Sequence, residues 1–138
     1  MGAVEMDSSV LILLVEDDPG IQDLLFDTLE EAGFEVVQAS NAAQAISILN
    51  EKSDIRAIVT DIDFGDSKLT GWDVARQARE LLKDLPVVYM TGASADDWGS
   101  KGVPNSVLIT KPFAPVQVVT AVSQLLNAGN TPDTASTS

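Results

Sequence analysis

Residues 55–63 are Ile55-Arg56-Ala57-Ile58-Val59-Thr60-Asp61-Ile62-Asp63, an apolar and largely β-branched run that leads directly into two acids. The run lacks the polar alternation of a half-exposed strand, which is typical of a strand buried on both faces of a parallel sheet. Such sheets place their functional groups just beyond the carboxyl ends of the strands, where Asp61 would emerge. A lone aspartate in this place more often only ends the strand, so the other strands must decide its role.

Three further apolar runs also end in polar residues that can take part in chemistry. Glu16 and Asp17 follow the first of these runs, Thr91 follows the second, and Lys111 follows the third. Because the carboxyl ends of neighbouring parallel strands meet at one edge of a sheet, we expect these side chains to share a crevice with Asp61.

The composition limits the chemistry that this crevice can support. The chain has 138 residues, which is long enough for one domain with its own core and too short for two of ordinary size. Its net charge is −13 at pH 7. It contains no cysteine and no histidine, which excludes a disulfide scaffold, thiolate metal sites and imidazole ligands or bases. Any chemistry must therefore use carboxylates, hydroxyls and amines.

The charge also limits the class of partner. With a pI near 4.1 and only 8 Lys and Arg residues, which are scattered, the chain is not expected to bind nucleic acid. The longest apolar runs are about half a dozen residues, too short to span a membrane, and the first ten residues lack the regions of a secretory signal. We therefore expect a cytoplasmic protein with no membrane partner.

Five apolar runs are predicted to be strands, at residues 10–15, 34–39, 55–60, 86–90 and 106–109. The segments between them have apolar residues at helical spacing. Two of these helices begin at recognisable caps, Asp18-Pro19 and Asn41 with Gln44 as a capping box. Gly71 precedes a third helix, and Pro115 stands at the start of the last one. Three glycines and a proline between residues 92 and 105 leave room only for a short helix near residues 94–98.

Strands that alternate with helices predict an α/β fold, a doubly wound, five-stranded parallel sheet with a short or irregular fourth helix. The strand order 2-1-3-4-5 is taken from flavodoxin-like folds. We expect one domain over residues 10–127, between a flexible leader at residues 1–9 and a disordered polar tail at residues 128–138.

If the first and third strands are neighbours, Glu16, Asp17 and Asp61 come together. Two unit charges about 4 Å apart repel by about 4 kcal/mol at an effective dielectric constant of 20, and a whole domain is stable by only about 5–15 kcal/mol. Either some of these acids are protonated, or a cation lies among them. Oxygen ligands without histidine or cysteine favour Mg²⁺, and calcium is disfavoured because no EF-hand spacing is present.

Thr91 and Lys111 would add a hydroxyl donor and an ammonium to the same crevice. Each taken alone is an ordinary residue at a strand end. Together with an aspartate nucleophile and Mg²⁺ they form a workable set for making an aspartyl phosphate.

The chain resembles the response regulator receiver domain. The likeness covers roughly residues 10–127, and the family's four motifs occur in its order and approximate spacing: Leu13-Leu14-Val15-Glu16-Asp17-Asp18-Pro19, Val59-Thr60-Asp61, Met90-Thr91-Gly92 and Thr110-Lys111-Pro112-Phe113. The resemblance implies that Asp61 accepts the phosphoryl group. It also implies that Mg²⁺ is held by Asp17, Asp61 and the backbone carbonyl of Asp63, with Glu16 acting through a metal-bound water.

The resemblance further implies roles for the remaining crevice residues. Thr91 would be the switch hydroxyl that moves to the phosphoryl group, and Lys111 would be its ion-pair partner. The bond between Lys111 and Pro112 is expected to be cis, a conformation accessible mainly before proline.

The chain departs from the family pattern in three places. The loop at residues 61–71 is about two residues longer than usual and lacks its proline, Leu108 stands where the family usually has a tyrosine or phenylalanine, and residues 92–105 are too broken for a regular fourth helix. These departures bear on the relay from Thr91 to an aromatic side chain and on the family's usual dimer face, not on the phosphorylation chemistry.

The leading hypothesis is a phosphoacceptor in a two-component system or phosphorelay. It would take a phosphoryl group from a histidine kinase or histidine phosphotransferase onto Asp61 and switch binding to a downstream protein, without being a turnover enzyme. One alternative is a haloacid-dehalogenase-type phosphohydrolase, since Asp61-Ile62-Asp63 resembles its acid pair, although Glu16 and Asp17 come first here. The other alternative is a receiver-like binding module that is not phosphorylated. The oligomeric state is left open.

Overall fold

The computed structural model describes residues 10–65 and 68–130. Within them five strands form one parallel sheet: β1 (Leu11–Val15), β2 (Glu35–Ala39), β3 (Ile55–Asp61), β4 (Val87–Thr91) and β5 (Ser106–Thr110). The strand order is β2-β1-β3-β4-β5, which confirms the predicted fold. The leader predicted at residues 1–9 and the tail from residue 131 onward lie outside the described residues.

The helices follow the strands in alternation: α1 (Pro19–Glu31), α2 (Ala42–Glu51), α3 (Gly71–Leu81), α4 (Trp98–Lys101) and α5 (Pro115–Asn130). A single 3₁₀ turn, Ala95–Asp97, precedes α4, so the expectation of a short fourth helix is confirmed. α5 ends at Asn130 and so extends past the domain end predicted at residue 127. Among the described helices, none combines the length and apolar character that crossing a bilayer requires.

Side chains at the helix starts explain why the helices begin where they do. Asp18 accepts hydrogen bonds from the N–H groups of Gly20 and Ile21, which caps α1. At α2 the predicted capping box is only half formed. Asn41 accepts from the Gln44 N–H, but the Gln44 carboxamide accepts from the N–H of Ser40 rather than that of Asn41.

The sheet is buried on both faces, as the apolar run at residues 55–60 predicts. β3 is buried at every position except Arg56. Alternate residues of β1, β3 and β4 enter a cluster with α1 and α5 on one face, and the intervening residues of β1 and β3 enter a cluster with α2 and α3 on the other. This double cover leaves the two ends of the sheet as the places where polar side chains can gather.

The short fourth helix is held in place by hydrogen bonds around Val103. The hydroxyl of Tyr89 accepts from the Val103 N–H at 3.1 Å, and the hydroxyl of Ser106 donates to the Val103 carbonyl at 2.7 Å. The indole of Trp98 donates in turn to Ser106 Oγ at 3.0 Å. These bonds tie α4 and the segment after it to β4 and β5.

Tyr89 is fully buried, and its ring lies against that of Trp72 with centroids 4.7 Å apart. It also pairs in register with Leu108 of β5. Aromatic bulk on this face of the sheet is therefore supplied by β4 and α3, next to the position where the family usually has an aromatic residue on β5.

We expect Tyr89→Phe to lower the free energy of unfolding by about 1–2 kcal/mol, because the buried Val103 N–H loses its acceptor. The ring and its contact with Trp72 are retained. Urea denaturation measures the change, and hydrogen exchange should report a faster Val103 amide. Trp98→Phe serves as the control, since its bond to Ser106 is exposed and should contribute less. Unchanged exchange at Val103 would contradict this account of the segment.

Candidate functional site

The side chains predicted to share a crevice come together at the carboxyl end of the sheet. Carboxylate oxygens of Glu16, Asp17 and Asp61 all lie within 4.8 Å of one another. Nζ of Lys111 lies 3.4 Å from Asp61 Oδ2 and 3.6 Å from Glu16 Oε1. Three carboxylates thus cluster beside an ammonium that contacts two of them, and they are brought together by the loop after β1, the end of β3 and the loop after β5.

Asp61 is the last residue of β3, and its side chain is only 8% exposed. Its Oδ1 accepts from the N–H of Ile62 at 2.9 Å, and its Oδ2 faces Lys111. The hydroxyl of Thr60 donates to the backbone carbonyl of Asp61 at 2.7 Å. Burial raises the pKa of Asp61, while the Lys111 charge and the Ile62 N–H oppose that rise. The carboxylate is therefore fixed in direction, with one oxygen turned toward the cation.

Glu16 is the most constrained acid of the cluster. Its side chain is 0% exposed, and its Oε2 accepts from the Asp18 N–H at 3.2 Å. Its Oε1 accepts no hydrogen bond from any residue that the structure describes. Burial first, and then the Asp61 charge, raise the pKa of Glu16 from its ordinary value of 4.5 to about 7.

Lys111 is the cation of the crevice. Burial lowers its pKa, but the charges of Asp61 and Glu16 outweigh burial and raise it overall, so the ammonium stays charged. The Lys111–Pro112 peptide bond is cis, as the resemblance implies.

A divalent cation fits this donor set. Three carboxylates beside one ammonium leave excess negative charge, and within the described part of the chain the buried Glu16 Oε1 accepts no hydrogen bond and has only the Lys111 ammonium at 3.6 Å. All of the available ligand atoms are oxygens, which suits Mg²⁺. Within the described residues the three-carboxylate cluster does not include Asp63, whose exposed side chain instead accepts from the Ser94 hydroxyl at 3.1 Å.

Thr91 is the last residue of β4 and is fully buried. Its Oγ1 accepts from the N–H groups of Ala93 at 3.1 Å and Ser94 at 2.8 Å. The hydroxyl oxygen therefore organises the start of the loop after β4. Together with the bond from Ser94 to Asp63, these contacts connect the loops that follow β3 and β4.

Gly71 is a site residue that sequence reasoning did not identify. It opens α3 directly against the end of β3, where a Cβ atom would overlap the carbonyl oxygen of Asp61. Its N–H donates to the Ile62 carbonyl at 2.8 Å. Thr70 and Asp73 form a reciprocal capping box around this start. The sequence did contain a signal for this contact, namely a glycine at the start of the helix that follows the acidic end of a strand.

Sequence reasoning also missed Ser94 and Gln22. The carboxamide of Gln22 donates to the backbone carbonyls of Glu16 and Ala39. No sequence pattern distinguishes these two polar residues from their solvent-exposed neighbours.

The sequence and structure comparisons with known proteins agree on one family. A family model described as the response regulator receiver domain matches residues 12–123. The crystal structure of a response regulator receiver protein from Sinorhizobium medicae is 45% identical, with a TM-score of 0.84, over 88% of this chain and 97% of that one. The response regulator receiver protein CpdR of Brucella abortus is 32% identical over 119 residues, which cover 85% of this chain and 97% of CpdR.

Other curated relatives are longer than this chain. The probable transcriptional regulatory protein SilR of Salmonella typhimurium is 33% identical over 122 residues, 87% of this chain and 52% of SilR. The phosphate regulon regulator PhoB of Pseudomonas aeruginosa is 29% identical over 120 residues, 83% of this chain and 51% of PhoB. The chain thus spans about half the length of these two relatives.

The raised pKa of Glu16 makes stability depend on pH when no divalent cation is present. The folded protein keeps a proton on Glu16 that the unfolded chain releases above pH 4.5, so the free energy of unfolding should fall as pH rises from 4.5 to about 7. The loss from this residue is at most about 3 kcal/mol. We expect Glu16→Gln to remove this part of the slope and to be more stable than the wild type above neutral pH.

Urea denaturation with a chelator present, at several pH values, measures this effect. Glu30→Gln is the matched control, since Glu30 is exposed on α1. An unchanged slope in Glu16→Gln would show that Glu16 is already ionised in the folded protein.

Proposed function

The chain belongs to the response regulator receiver domain family, and on that basis we propose that it accepts a phosphoryl group on Asp61 from a histidine kinase or a histidine phosphotransferase. The aspartyl phosphate then switches its binding to a downstream protein. The observation that best supports this assignment is the pairing of Asp61 Oδ2 with Lys111 Nζ at 3.4 Å, while Oδ1 is held by Ile62. Family membership favours this function over the phosphohydrolase alternative.

The transfer forms one bond and breaks one. An oxygen of Asp61 attacks the phosphorus of the donor phosphohistidine, the new P–O bond forms, and the P–N bond breaks with its electron pair left on the imidazole nitrogen. We assign Oδ2 as the attacking oxygen because Oδ1 already accepts the Ile62 N–H. The ammonium of Lys111 is placed to follow the negative charge onto the phosphoryl oxygens.

The carboxylate cluster would repel an incoming phosphoryl group without added positive charge. Glu16, Asp17 and Asp61, with the backbone carbonyl of Asp63, are the groups that we propose to hold Mg²⁺, which supplies that charge. Burial of Glu16 and Asp61 keeps bulk water away from the reacting oxygens and strengthens the attraction between Lys111 and the phosphoryl group.

The switch uses the loops after β3 and β4. Phosphorylation adds about −1.5 to −2 charges at Asp61, and we propose that the Thr91 hydroxyl turns toward this charge. Because Thr91 Oγ1 accepts from Ala93 and Ser94, its movement draws the start of that loop with it. Ser94 also binds Asp63, so the loop after β3 is displaced at the same time.

The phosphoryl donor needs a docking surface beside the crevice. An apolar groove of about 420 Å³ lies there, between α1 and the loop after β5, and Lys111 lines the groove as well as the crevice; its other lining residues are Ile21, Leu24, Leu25, Pro112, Phe113 and Pro115. Leu24 is one of these lining residues and is 52% exposed. We infer that the donor protein contacts this groove while its histidine reaches Asp61.

We expect wild-type protein to gain one phosphoryl group when it is incubated with acetyl phosphate and Mg²⁺, as measured by intact-protein mass spectrometry. Asp61→Asn should gain none, because the amide is not a nucleophile at phosphorus. Asp63→Asn is the matched control, since it keeps its backbone carbonyl and should still be phosphorylated. An undiminished gain in Asp61→Asn would mean that another residue accepts the phosphoryl group, and no gain in the wild type would leave the binding-module alternative.

The test uses a histidine kinase that phosphorylates the wild type. We expect Leu24→Ser to slow phosphoryl transfer from this kinase roughly 10-fold, the usual effect of losing a central interface contact. The rate with acetyl phosphate should stay the same, because a small donor needs no docking surface. Val116→Ser is the control, since Val116 is 61% exposed on α5 and lines a different groove. Equal effects on the two donors would mean that Leu24 acts on the crevice itself.

A further inference from the structure

Gln22 joins three parts of the structure near the acidic cluster. Its half-buried side chain projects from α1, and its Nε2 donates to the Glu16 carbonyl at 3.1 Å and to the Ala39 carbonyl at 3.2 Å. The nitrogen must face these two groups, because the amide oxygen would meet two acceptors. The two N–H groups of one carboxamide therefore bind the acidic loop and the end of β2 at the same time.

The bonds of Gln22 belong to a closed set around the acidic loop. The Glu16 N–H also donates to the Ala39 carbonyl, at 3.1 Å. On the other side of the loop, Asp18 caps the first turn of α1, which is the turn that leads to Gln22. The loop is thus fixed to β2 at one end and to α1 at the other.

The position of Asp17 depends on this set. The Glu16 carbonyl and the Asp17 N–H belong to one planar peptide unit that ends at the Asp17 Cα atom, so a hydrogen bond to that carbonyl restrains the position from which the Asp17 side chain leaves the backbone. Asp17 is exposed, whereas Glu16 and Asp61 are buried. Repulsion among the three carboxylates would therefore be relieved most easily by an outward rotation of Asp17.

We propose that Gln22 is a positioning residue that holds the peptide between Glu16 and Asp17 against this repulsion, so that Asp17 stays in the carboxylate cluster. The inference rests on the proposed function, since the cluster is taken as the Mg²⁺ site of a phosphoacceptor. Gln22 acts through Asp17, and we assign it no contact with the phosphoryl group.

Gln22→Met tests the proposal, because methionine keeps the length of the side chain and removes both donors. Gln44→Met is the matched control. The Gln44 side chain lies beside the end of β2 and accepts from the Ser40 N–H at 2.6 Å, and among the hydrogen bonds of the described residues its side chain has none to residues 16–18. We expect Gln22→Met to weaken Mg²⁺ binding roughly 10-fold, as loss of a residue that orients a metal ligand usually does. Gln44→Met should bind Mg²⁺ within about twofold of the wild type.

Two readouts separate positioning from a general loss of stability. In metal-free protein, ¹⁵N relaxation should report that residues 16–18 are more mobile in Gln22→Met than in the wild type. The mobility of these residues in Gln44→Met should equal that in the wild type. With acetyl phosphate, Gln22→Met should recover the wild-type rate once Mg²⁺ is raised to saturation. Wild-type Mg²⁺ affinity in Gln22→Met, or equal changes in the two variants, would overturn the proposal.

Failure of the proposed function would give a different result. In that case the wild type itself would bind no Mg²⁺ or take up no phosphoryl group. Relaxation of residues 16–18 in metal-free protein would then still decide whether Gln22 holds the acidic loop, and unchanged mobility in Gln22→Met would reject it.

Discussion

The structure depends on one electrostatic constraint, the confinement of Glu16, Asp17 and Asp61 beside the single ammonium of Lys111. The strand order creates it, because β1 and β3 are neighbours and end at the same edge of the sheet. Burial strengthens every charge interaction in the crevice and raises the pKa of Glu16 and Asp61. The sheet thus maintains a charge imbalance that a bound cation would relieve, and in the proposed function this relief precedes the entry of a phosphoryl group.

The backbone around the crevice is fixed by hydrogen bonds and close contacts more than by long helices. Gly71 allows α3 to begin directly against the carbonyl of Asp61. On the other side, the bonds of Val103 to Tyr89 and Ser106 hold the segment after the short α4. The departures from the family pattern therefore lie outside the crevice, in the loop after β3, in β5 and in the segment around α4.

Much of the fold followed from the sequence because its signals are local. Apolar runs located all five strands, and caps such as Asp18 located the helix starts. The strand ends were less well predicted: Asp61 and Thr91 are the last residues of β3 and β4 and not the first residues beyond them. Strand order had to be taken from related folds, since no residue pattern specifies which parallel strands are neighbours.

The crevice residues could be predicted because each follows an apolar run, whereas the residues that hold them could not. Gln22 and Ser94 act through hydrogen bonds to partners distant in sequence, Ala39 and Asp63 among them. Such bonds exist only after the chain has folded, and a lone glutamine or serine gives no sign of them. The contact between Gly71 and Asp61 is intermediate, because the glycine is visible in the sequence and its neighbour is not.

The most direct test of the central claim is calorimetric titration of the wild type with Mg²⁺ at about pH 7, in buffers of different ionisation enthalpy. If the cluster is a strained set of acids in which Glu16 retains a proton, one Mg²⁺ should bind per molecule, and its binding should release a fraction of a proton per molecule on average. This proton release should vanish in Glu16→Gln. Binding without proton release would contradict the raised pKa of Glu16. The absence of any binding heat in every buffer would contradict the account as a whole.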